Sequence, residues 1–159
     1  MNIDVEHLLY DLGKALVAAA VVLLLMLGFL PPARADTWLV GTVASYHLDR
    51  SVDHCERNYG LGLEQGVWNN TRLVGGVYNN SYCRQSEYIG LVWAPIHYGK
   101  VHLGFLAGGV TGYNSAIDPV VMPTIAVEGR HLGMNLGIMP ALDSKIITVV
   151  GLQLKWRFR

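Results

Sequence analysis

The last segment of the chain alternates between two kinds of side chain, and this alternation restricts the fold more than any other feature of the sequence. One set of alternate positions is mainly apolar and ends on an aromatic pair, and the other holds glycine, glutamine and basic residues. The first set is Ile146, Thr148, Val150, Leu152, Leu154, Trp156 and Phe158, and the second is Gly151, Gln153, Lys155, Arg157 and Arg159. Because successive side chains of a strand point to opposite faces, the segment predicts a strand with an apolar outside and a polar inside.

Segments of this kind recur from residue 37 onward, and clusters of Asn, Asp, Gly and Pro separate them. We predict eight strands at 37–48, 58–67, 71–82, 86–95, 100–113, 119–128, 130–140 and 145–159. A transmembrane strand needs about 9 to 11 residues. The pattern therefore predicts an all-β fold, an eight-stranded antiparallel up-and-down transmembrane β-barrel over residues 36–159. An exported soluble β-sandwich is the alternative, but an aromatic pair at the end of the last strand favours a membrane interface.

The composition of the chain restricts the classes of partner that the protein can bind. Hydrophobic residues make up 52% of the chain and charged residues only 15%, which is too apolar for an ordinary soluble surface. Twelve basic side chains balance twelve acidic ones, so no basic field exists to attract nucleic acid. We expect membrane lipids as partners, no nucleic acid, and a monomer.

The start of the chain carries an export pattern. An apolar run at 15–30 is followed by two prolines and by the small-x-small sequence Ala33-Arg34-Ala35. This pattern predicts a cleavable signal peptide over residues 1–35, and hence export to the bacterial outer membrane. A retained single-span anchor is the alternative, although the run is shorter than the ~20 residues that a spanning helix needs.

The two cysteines of the chain occupy symmetric positions. If Trp68, Asn69 and Asn70 form a tight connection that places Val67 opposite Thr71, then Cys55 and Cys83 lie equally far from that pair along the two strands. They would face each other at the far end of a hairpin. Export favours a disulfide that ties the first and second outer loops together, and two free thiols are the alternative.

Glycine is abundant, at 18 residues, and much of it falls on positions predicted to face the barrel interior. These positions are Gly60, Gly62, Gly66, Gly104, Gly108, Gly112, Gly133 and Gly137. Two interpretations stay open. The glycines either leave a slot for a thin apolar ligand or merely permit the strong coiling of a narrow barrel.

Polar residues that could carry chemistry gather where the first and third predicted strands end. His47 is predicted to share the inward face with Gly41 and Ser45, and Asn80 and Ser81 end strand three at the same level. A histidine can take a proton from a hydroxyl, and an amide can orient its ring. The remaining histidines show no metal-ligand spacing, so we expect neither a metal nor another cofactor.

Four blocks resemble the outer-membrane lipid A palmitoyltransferases in order and spacing. They are 102–111, 119–129 with its two prolines, 138–140 and 156–158. The likeness continues more thinly through Tyr46-His47, Glu56-Arg57 and Asn80-Ser81, and it covers most of the chain after residue 35.

The resemblance implies an eight-stranded barrel that moves a palmitoyl chain from a phospholipid to lipid A, using a mouth histidine and an Asp-Ser pair. By position these catalytic residues are His47, Asn80 and Ser81. His47 would be the base, Asn80 would orient it, and Ser81 would bond the ring or the developing oxyanion. The chain departs from the family in having Asn80 where the family has aspartate, in lacking an amphipathic helix before strand one, in its cysteine pair and in Arg159.

The same resemblance implies an acyl-chain pocket along strand four, where Gly90 and Val92 face inward. Val92 falls where the family has glycine at the pocket floor, which implies an acyl chain shorter than palmitate. We therefore expect an acyltransferase that moves a phospholipid acyl chain to lipid A or another lipid. A non-catalytic barrel that binds lipid or blocks a surface receptor is the main alternative, and a lipid hydrolase is the third.

Overall fold

The computed structural model describes residues 36–51, 53–139 and 149–158, and the predicted signal peptide at 1–35 lies outside this range. Eight strands are present, and each overlaps one of the predicted segments. They are β1 (Thr37–His47), β2 (Gly60–Trp68), β3 (Thr71–Asn79), β4 (Gln85–Tyr98), β5 (Val101–Val110), β6 (Asp118–Glu128), β7 (Leu132–Met139) and β8 (Val149–Phe158). Residues 140, 145–148 and 159, which were predicted as strand, lie outside the described residues.

Each strand pairs antiparallel with its neighbours in sequence, and β1 also pairs with β8, so the sheet closes into a barrel. The prediction of an eight-stranded up-and-down barrel is confirmed. None of the described residues forms a helix long and apolar enough to cross a membrane. We call the end that carries the 48–59, 80–84 and 111–117 connections the outer mouth, and the end with the 69–70, 99–100 and 129–131 turns the inner end.

The predicted division of β8 into two faces is confirmed by its exposure. Leu154, Trp156 and Phe158 are about half exposed, whereas Lys155 between them is only 2% exposed. On β4, likewise, the predicted outer face is exposed while Ser86 and Gly90 are buried. Alternate residues of a strand therefore separate an apolar exterior from the barrel interior.

The face predicted for Gly41 is wrong, because β1 contains a β-bulge. The pairing of β1 with β8 shifts between Thr42 and Ala44. Before the shift, Gly41 pairs with the outward residues Leu61 and Leu154. An extra residue in one strand reverses which face the following side chains occupy. Ser45 and His47 consequently face inward as predicted, and Gly41 does not.

The β2–β3 hairpin determines the position of the cysteines. Its tip is the two-residue turn at 69–70, where Asn70 has a φ of 61°, a conformation that asparagine tolerates. From Gly60–Tyr78 to Gly66–Arg72 the two strands keep the predicted register. The predicted Val67–Thr71 pair is wrong, because a second bulge makes Trp68 the partner of Thr71.

The predicted disulfide between Cys55 and Cys83 is confirmed, with a Cα–Cα distance of 5.4 Å. Both cysteines lie beyond the ends of the hairpin strands, Cys55 in the β1–β2 connection and Cys83 in the β3–β4 connection. The bond therefore joins two outer loops, as expected from the sequence.

Inward glycines bring neighbouring strands close together. A Cβ atom at Gly90 would lie 2.8 Å from the Ala107 carbonyl oxygen and 3.2 Å from Gly108 Cα, its cross-strand partner. A Cβ at Gly62 would lie 2.6 Å from the hydroxyl of Tyr88. At these positions a side chain would displace backbone or a buried tyrosine, which favours the interpretation that glycine permits tight coiling.

The inner end of the lumen holds a buried cluster of charges. The Lys155 ammonium donates to Glu64 at 2.9 Å and to Glu128 at 2.7 Å, and Arg72 pairs with the same two carboxylates. These two cations face two anions in a region with little access to water, and Arg157 lies 3.6 Å from Glu128 as a third cation. Next to them lies Trp38, which is fully buried beneath the guanidinium of Arg157. Such a group is tolerated in a barrel because every charge is paired.

Candidate functional site

His47 and Ser81 meet at the outer mouth, as the sequence predicted. His47 is the last residue of β1 and is 2% exposed, and its Nε2 atom lies 2.8 Å from Ser81 Oγ. Ser81 stands in the β3–β4 connection, beyond the end of β3. A hydroxyl hydrogen-bonded to an imidazole nitrogen is the arrangement that lets the ring take the hydroxyl proton.

Asn80 does not join this pair. Its amide nitrogen donates to Ser86 Oγ and to the Gly112 carbonyl, both at 2.9 Å, and its Oδ1 accepts from the backbone N–H groups of Tyr82 and Arg84. The side chain is fully buried, and these partners occupy both ends of its amide. Asn80 therefore holds the β3–β4 connection against β4 and against Gly112, just beyond the end of β5. These hydrogen bonds do not include one to His47, the ring that Asn80 was expected to orient.

Glu56, and not residue 80, places a carboxylate beside His47. Its Oε1 atom accepts the backbone N–H of His47 at 3.0 Å and lies 3.7 Å from His47 Nδ1. The hydrogen bond from the His47 backbone lowers the pKa of the Glu56 carboxyl, and Arg50, 2.8 Å away, lowers it further. A carboxylate there can stabilise a protonated His47 by charge.

His54 is a second neighbour that sequence reasoning missed. Its ring stacks on that of His47, with the ring centroids 4.2 Å apart and the planes 13° apart. His54 and Glu56 come from the β1–β2 loop, whose path no periodic pattern describes. The one indication in the sequence was that Glu56 belongs to the thinner part of the likeness to the palmitoyltransferases, and that likeness implied no role for it.

The two loops that carry these side chains are joined to each other. The Cys55 N–H donates to the Ser81 carbonyl at 3.0 Å, and the Asn58 amide donates to the carbonyls of Cys55 and Asn79. Asn58 is buried in this position. The site is therefore built from one strand end and from two loops crosslinked beside it.

A cavity of about 770 Å³ fills the lumen and reaches Ser81 at the mouth. Most of its lining surface is apolar. We call the part lined by Val40, Val74, Val92, Leu106 and Met122 the apolar section, and the polar side chains of Thr42, Tyr88 and Gln153 also border the cavity. Val92 thus faces the cavity as the sequence predicted. Gly90 faces inward too, but it serves close packing of β4 on β5, as described above.

The barrel wall is incompletely paired toward the mouth. Within the described residues, β6 pairs with β7 only from Thr124 to Glu128, and β1 pairs with β2 only from Thr37 to Thr42. The part of β6 without a β7 partner among the described residues contains Pro119 and Pro123, which have no N–H to donate. We call these two interruptions of the backbone pairing, within the described residues, the gaps in the wall; across the gap beside β1, Ser45 still donates its N–H to the Glu56 carbonyl.

In the described ranges 36–51, 53–139 and 149–158, no three side chains of His, Cys, Asp or Glu come together in a way that could hold a metal ion. The nearest approach of two histidines outside the mouth is at the inner end, where His97 and His102 share a 2.7 Å hydrogen bond between their Nδ1 atoms.

Comparison with known proteins supports the fold alone. No family model matches the chain, and no curated protein sequence matches it. Among solved structures, the chain is similar to the solution NMR structure of a de novo designed protein, TMB2.3, with a TM-score of 0.60. The two are 10% identical, and the match covers 81% of this chain and 99% of the designed one. The chain therefore has the fold of a closed eight-stranded antiparallel barrel, a class defined by architecture and not by activity.

Proposed function

We propose that this protein is an outer-membrane acyltransferase that moves an acyl chain from a phospholipid to lipid A or another membrane lipid. The observation that carries the proposal is the hydrogen bond between the buried His47 and Ser81 at the mouth of a mainly apolar cavity. The resemblance of the sequence to lipid A palmitoyltransferases points to the same chemistry.

The exterior of the barrel supports a place in a membrane. Large apolar side chains, whose exposure to water would be unfavourable, cover the outer surface of the barrel between its two ends. They include Ile89, Leu91, Phe105, Val121 and Leu154. Exposed aromatic residues gather at both ends. Tyr46, Tyr59 and Tyr82 lie at the outer mouth, and Trp68, Tyr98, Trp156 and Phe158 lie at the inner end. An apolar band between two aromatic girdles is typical of barrels in the outer membrane.

The mouth can carry out acyl transfer in two balanced steps. First, His47 Nε2 takes the Ser81 hydroxyl proton while Ser81 Oγ attacks the ester carbonyl of the phospholipid. The ester C–O bond breaks, and the lysophospholipid leaves with the proton that His47 held. Second, the acceptor hydroxyl gives its proton to His47 while its oxygen attacks the acyl carbonyl. The bond between the acyl group and Ser81 Oγ breaks, and Ser81 Oγ takes the proton back from His47, so that both residues return to their starting states. Glu56 stabilises the imidazolium of both steps by charge.

The cavity and the gaps in the wall fit a lipid substrate. The acyl chain of the phospholipid occupies the apolar section below Ser81, where Val92 limits its depth. Each methylene placed there contributes roughly 0.8 kcal/mol to binding. The gaps beside β6 and β1 let a lipid reach the mouth from the membrane, so its headgroup does not cross the apolar band.

A lipid hydrolase is the second candidate, because a serine, a histidine and a carboxylate in this order serve equally well when water is the acceptor. Mass spectrometry of lipid A and phospholipids from cells with wild-type protein, with His47→Ala and with neither tests the two. An acyl chain gained by lipid A or another lipid, with wild type alone, supports the transferase. Chains lost without a gain support the hydrolase, and unchanged lipids in all three strains support a non-catalytic lipid-binding barrel.

A further inference from the structure

We propose that the Cys55–Cys83 disulfide is a positioning device for the mouth site, so that its reduction slows acyl transfer while the barrel stays folded. The inference rests on the proposed function and adds redox control to it. It assigns to the two cysteines a role beyond stabilising the fold.

The disulfide stands between the partners of His47. Cys55 lies between His54, which stacks on the His47 ring, and Glu56, whose carboxylate faces His47 Nδ1. At its other end, Cys83 follows Ser81 by two residues, in a turn where Cys83 has a φ of 59°. The bond thus links the segment that presents the ring and the carboxylate to the segment that presents the hydroxyl.

Few other contacts among the described residues hold the β1–β2 loop in place. The ladder between β1 and β2 ends at Thr42 and Gly60, and beyond it two hydrogen bonds join β1 to Glu56, from the Ser45 N–H to its carbonyl and from the His47 N–H to its carboxylate. The Cys55 N–H joins the loop to Ser81 of the β3–β4 connection. Hydrogen bonds from the Asn58 amide to the Asn79 carbonyl and from the Asn79 N–H to the Tyr59 carbonyl join it to the end of β3. A covalent link across so few bonds restricts the loop strongly, because without it the loop samples many more conformations.

The barrel itself does not depend on this bond. Cys55 and Cys83 lie outside β2 and β3, so neither takes part in a strand ladder. Cys83 is exposed and Cys55 is half-buried, so a small dithiol can reach the sulfurs. The dithiol supplies two electrons and two protons, the S–S bond breaks to give two thiols, and the reagent is oxidised to its own disulfide. Glu56 and His54 then lose the link that holds them beside His47.

The test combines reduction with a substitution in the purified barrel, reconstituted with phospholipid and lipid A. Wild type and Glu56→Gln are assayed before and after dithiothreitol, and Cys55→Ser/Cys83→Ser serves as the control for the reagent. We expect reduction to slow wild-type transfer about tenfold, the size of effect typical of lost supporting contacts at a site. Glu56→Gln should cost about tenfold in the oxidised protein and less than about twofold in the reduced one, because the carboxylate has then already left. The double serine variant should transfer acyl chains as slowly as reduced wild type, and its rate should not change when dithiothreitol is added.

Folding is followed in the same samples by heat-modifiable gel migration, which should be unchanged by reduction. Equal rates before and after reduction would overturn the proposal, and so would an equal cost of Glu56→Gln in both states. Loss of heat-modifiable migration would overturn it as well, since the disulfide would then serve the fold.

A measurement that does not depend on acyl transfer distinguishes the failure of this inference from the failure of the proposed function. Nuclear magnetic resonance of the His47 ring proton on Cε1 reports the stacked His54 ring, so its chemical shift should change on reduction in wild type and not in His54→Ala. If oxidised wild type transfers no acyl chain, the proposed function fails, and an unchanged His47 signal on reduction would refute the positioning role separately.

Discussion

Asn80 and Ser81 are adjacent in sequence, yet their side chains enter different surroundings. Ser81 Oγ lies 2.8 Å from His47 Nε2, whereas the Asn80 amide turns away to donate to Ser86 and to the Gly112 carbonyl. The hydroxyl therefore belongs to the mouth site, and the amide belongs to the frame that holds the β3–β4 connection.

This difference determines what a carboxylate at position 80 would do. Asn80→Asp removes the amide donor and places an oxygen beside the Gly112 carbonyl, so we expect it to destabilise the barrel by about 2 kcal/mol. Chemical unfolding in detergent micelles measures the change. Asn79→Asp is the matched control, because Asn79 is exposed, and it should change stability little. Equal stability of Asn80→Asp and wild type would mean that the amide contacts are unimportant.

The charge cluster at the inner end should respond sharply to the loss of one cation. Lys155→Met leaves Glu64 with Arg72 and the Asn135 amide, and Glu128 with Arg72 and, at 3.6 Å, Arg157. Breaking a buried ion pair costs about 3 to 5 kcal/mol. Lys100→Met, in the exposed β4–β5 turn, is the control and should be nearly neutral. Urea unfolding of both variants provides the comparison, and a small effect of Lys155→Met would show that water already solvates the cluster.

Glu56 should give the mouth a dependence on pH. Its folded-state pKa lies below the ordinary value of 4.5, because the His47 backbone N–H and Arg50 favour the ionised form. The ionised carboxylate therefore stabilises the fold above pH 4.5, and this contribution disappears as the pH falls through the folded-state pKa. We expect the stability difference between wild type and Glu56→Gln to narrow in acid. Glu87→Gln is the control, and a pH-independent difference for Glu56→Gln would contradict the account.

Val92 should limit the length of the acyl chain that the cavity accepts. Its side chain lines the apolar section opposite Leu106, its cross-strand partner. We expect wild type to prefer a chain shorter than palmitate and Val92→Gly to accept longer chains, in a competition among phospholipids of graded length. Leu91→Gly places the same flexible residue on the outer face and should leave the preference unchanged. If wild type selects palmitate sharply, or if Val92→Gly selects the same chain as wild type, then Val92 does not form the pocket floor.

Strand periodicity was sufficient to predict the barrel, because apolar and small-or-polar positions alternate within the predicted segments and this pattern requires no long-range information. The disulfide was predictable for the same reason, since a hairpin register relates residues by their distance from the turn. Gly41 was misplaced because a bulge adds one residue without a compositional mark. Glu56 and His54 were missed because a loop without periodicity carries them, and only the three-dimensional path of that loop brings them to His47.

The proposed function is tested most directly by following one labelled acyl chain. The purified barrel is reconstituted in vesicles that contain lipid A and a phospholipid with a 13C-labelled acyl chain. The lipids are then separated, and their masses are measured by mass spectrometry. We expect the label to move from phospholipid to lipid A or to another lipid with wild type. We expect Ser81→Ala and His47→Ala to abolish the transfer while both barrels keep heat-modifiable migration. Transfer at the wild-type rate by either variant, or no movement of the label with correctly folded wild type, would contradict the proposed function.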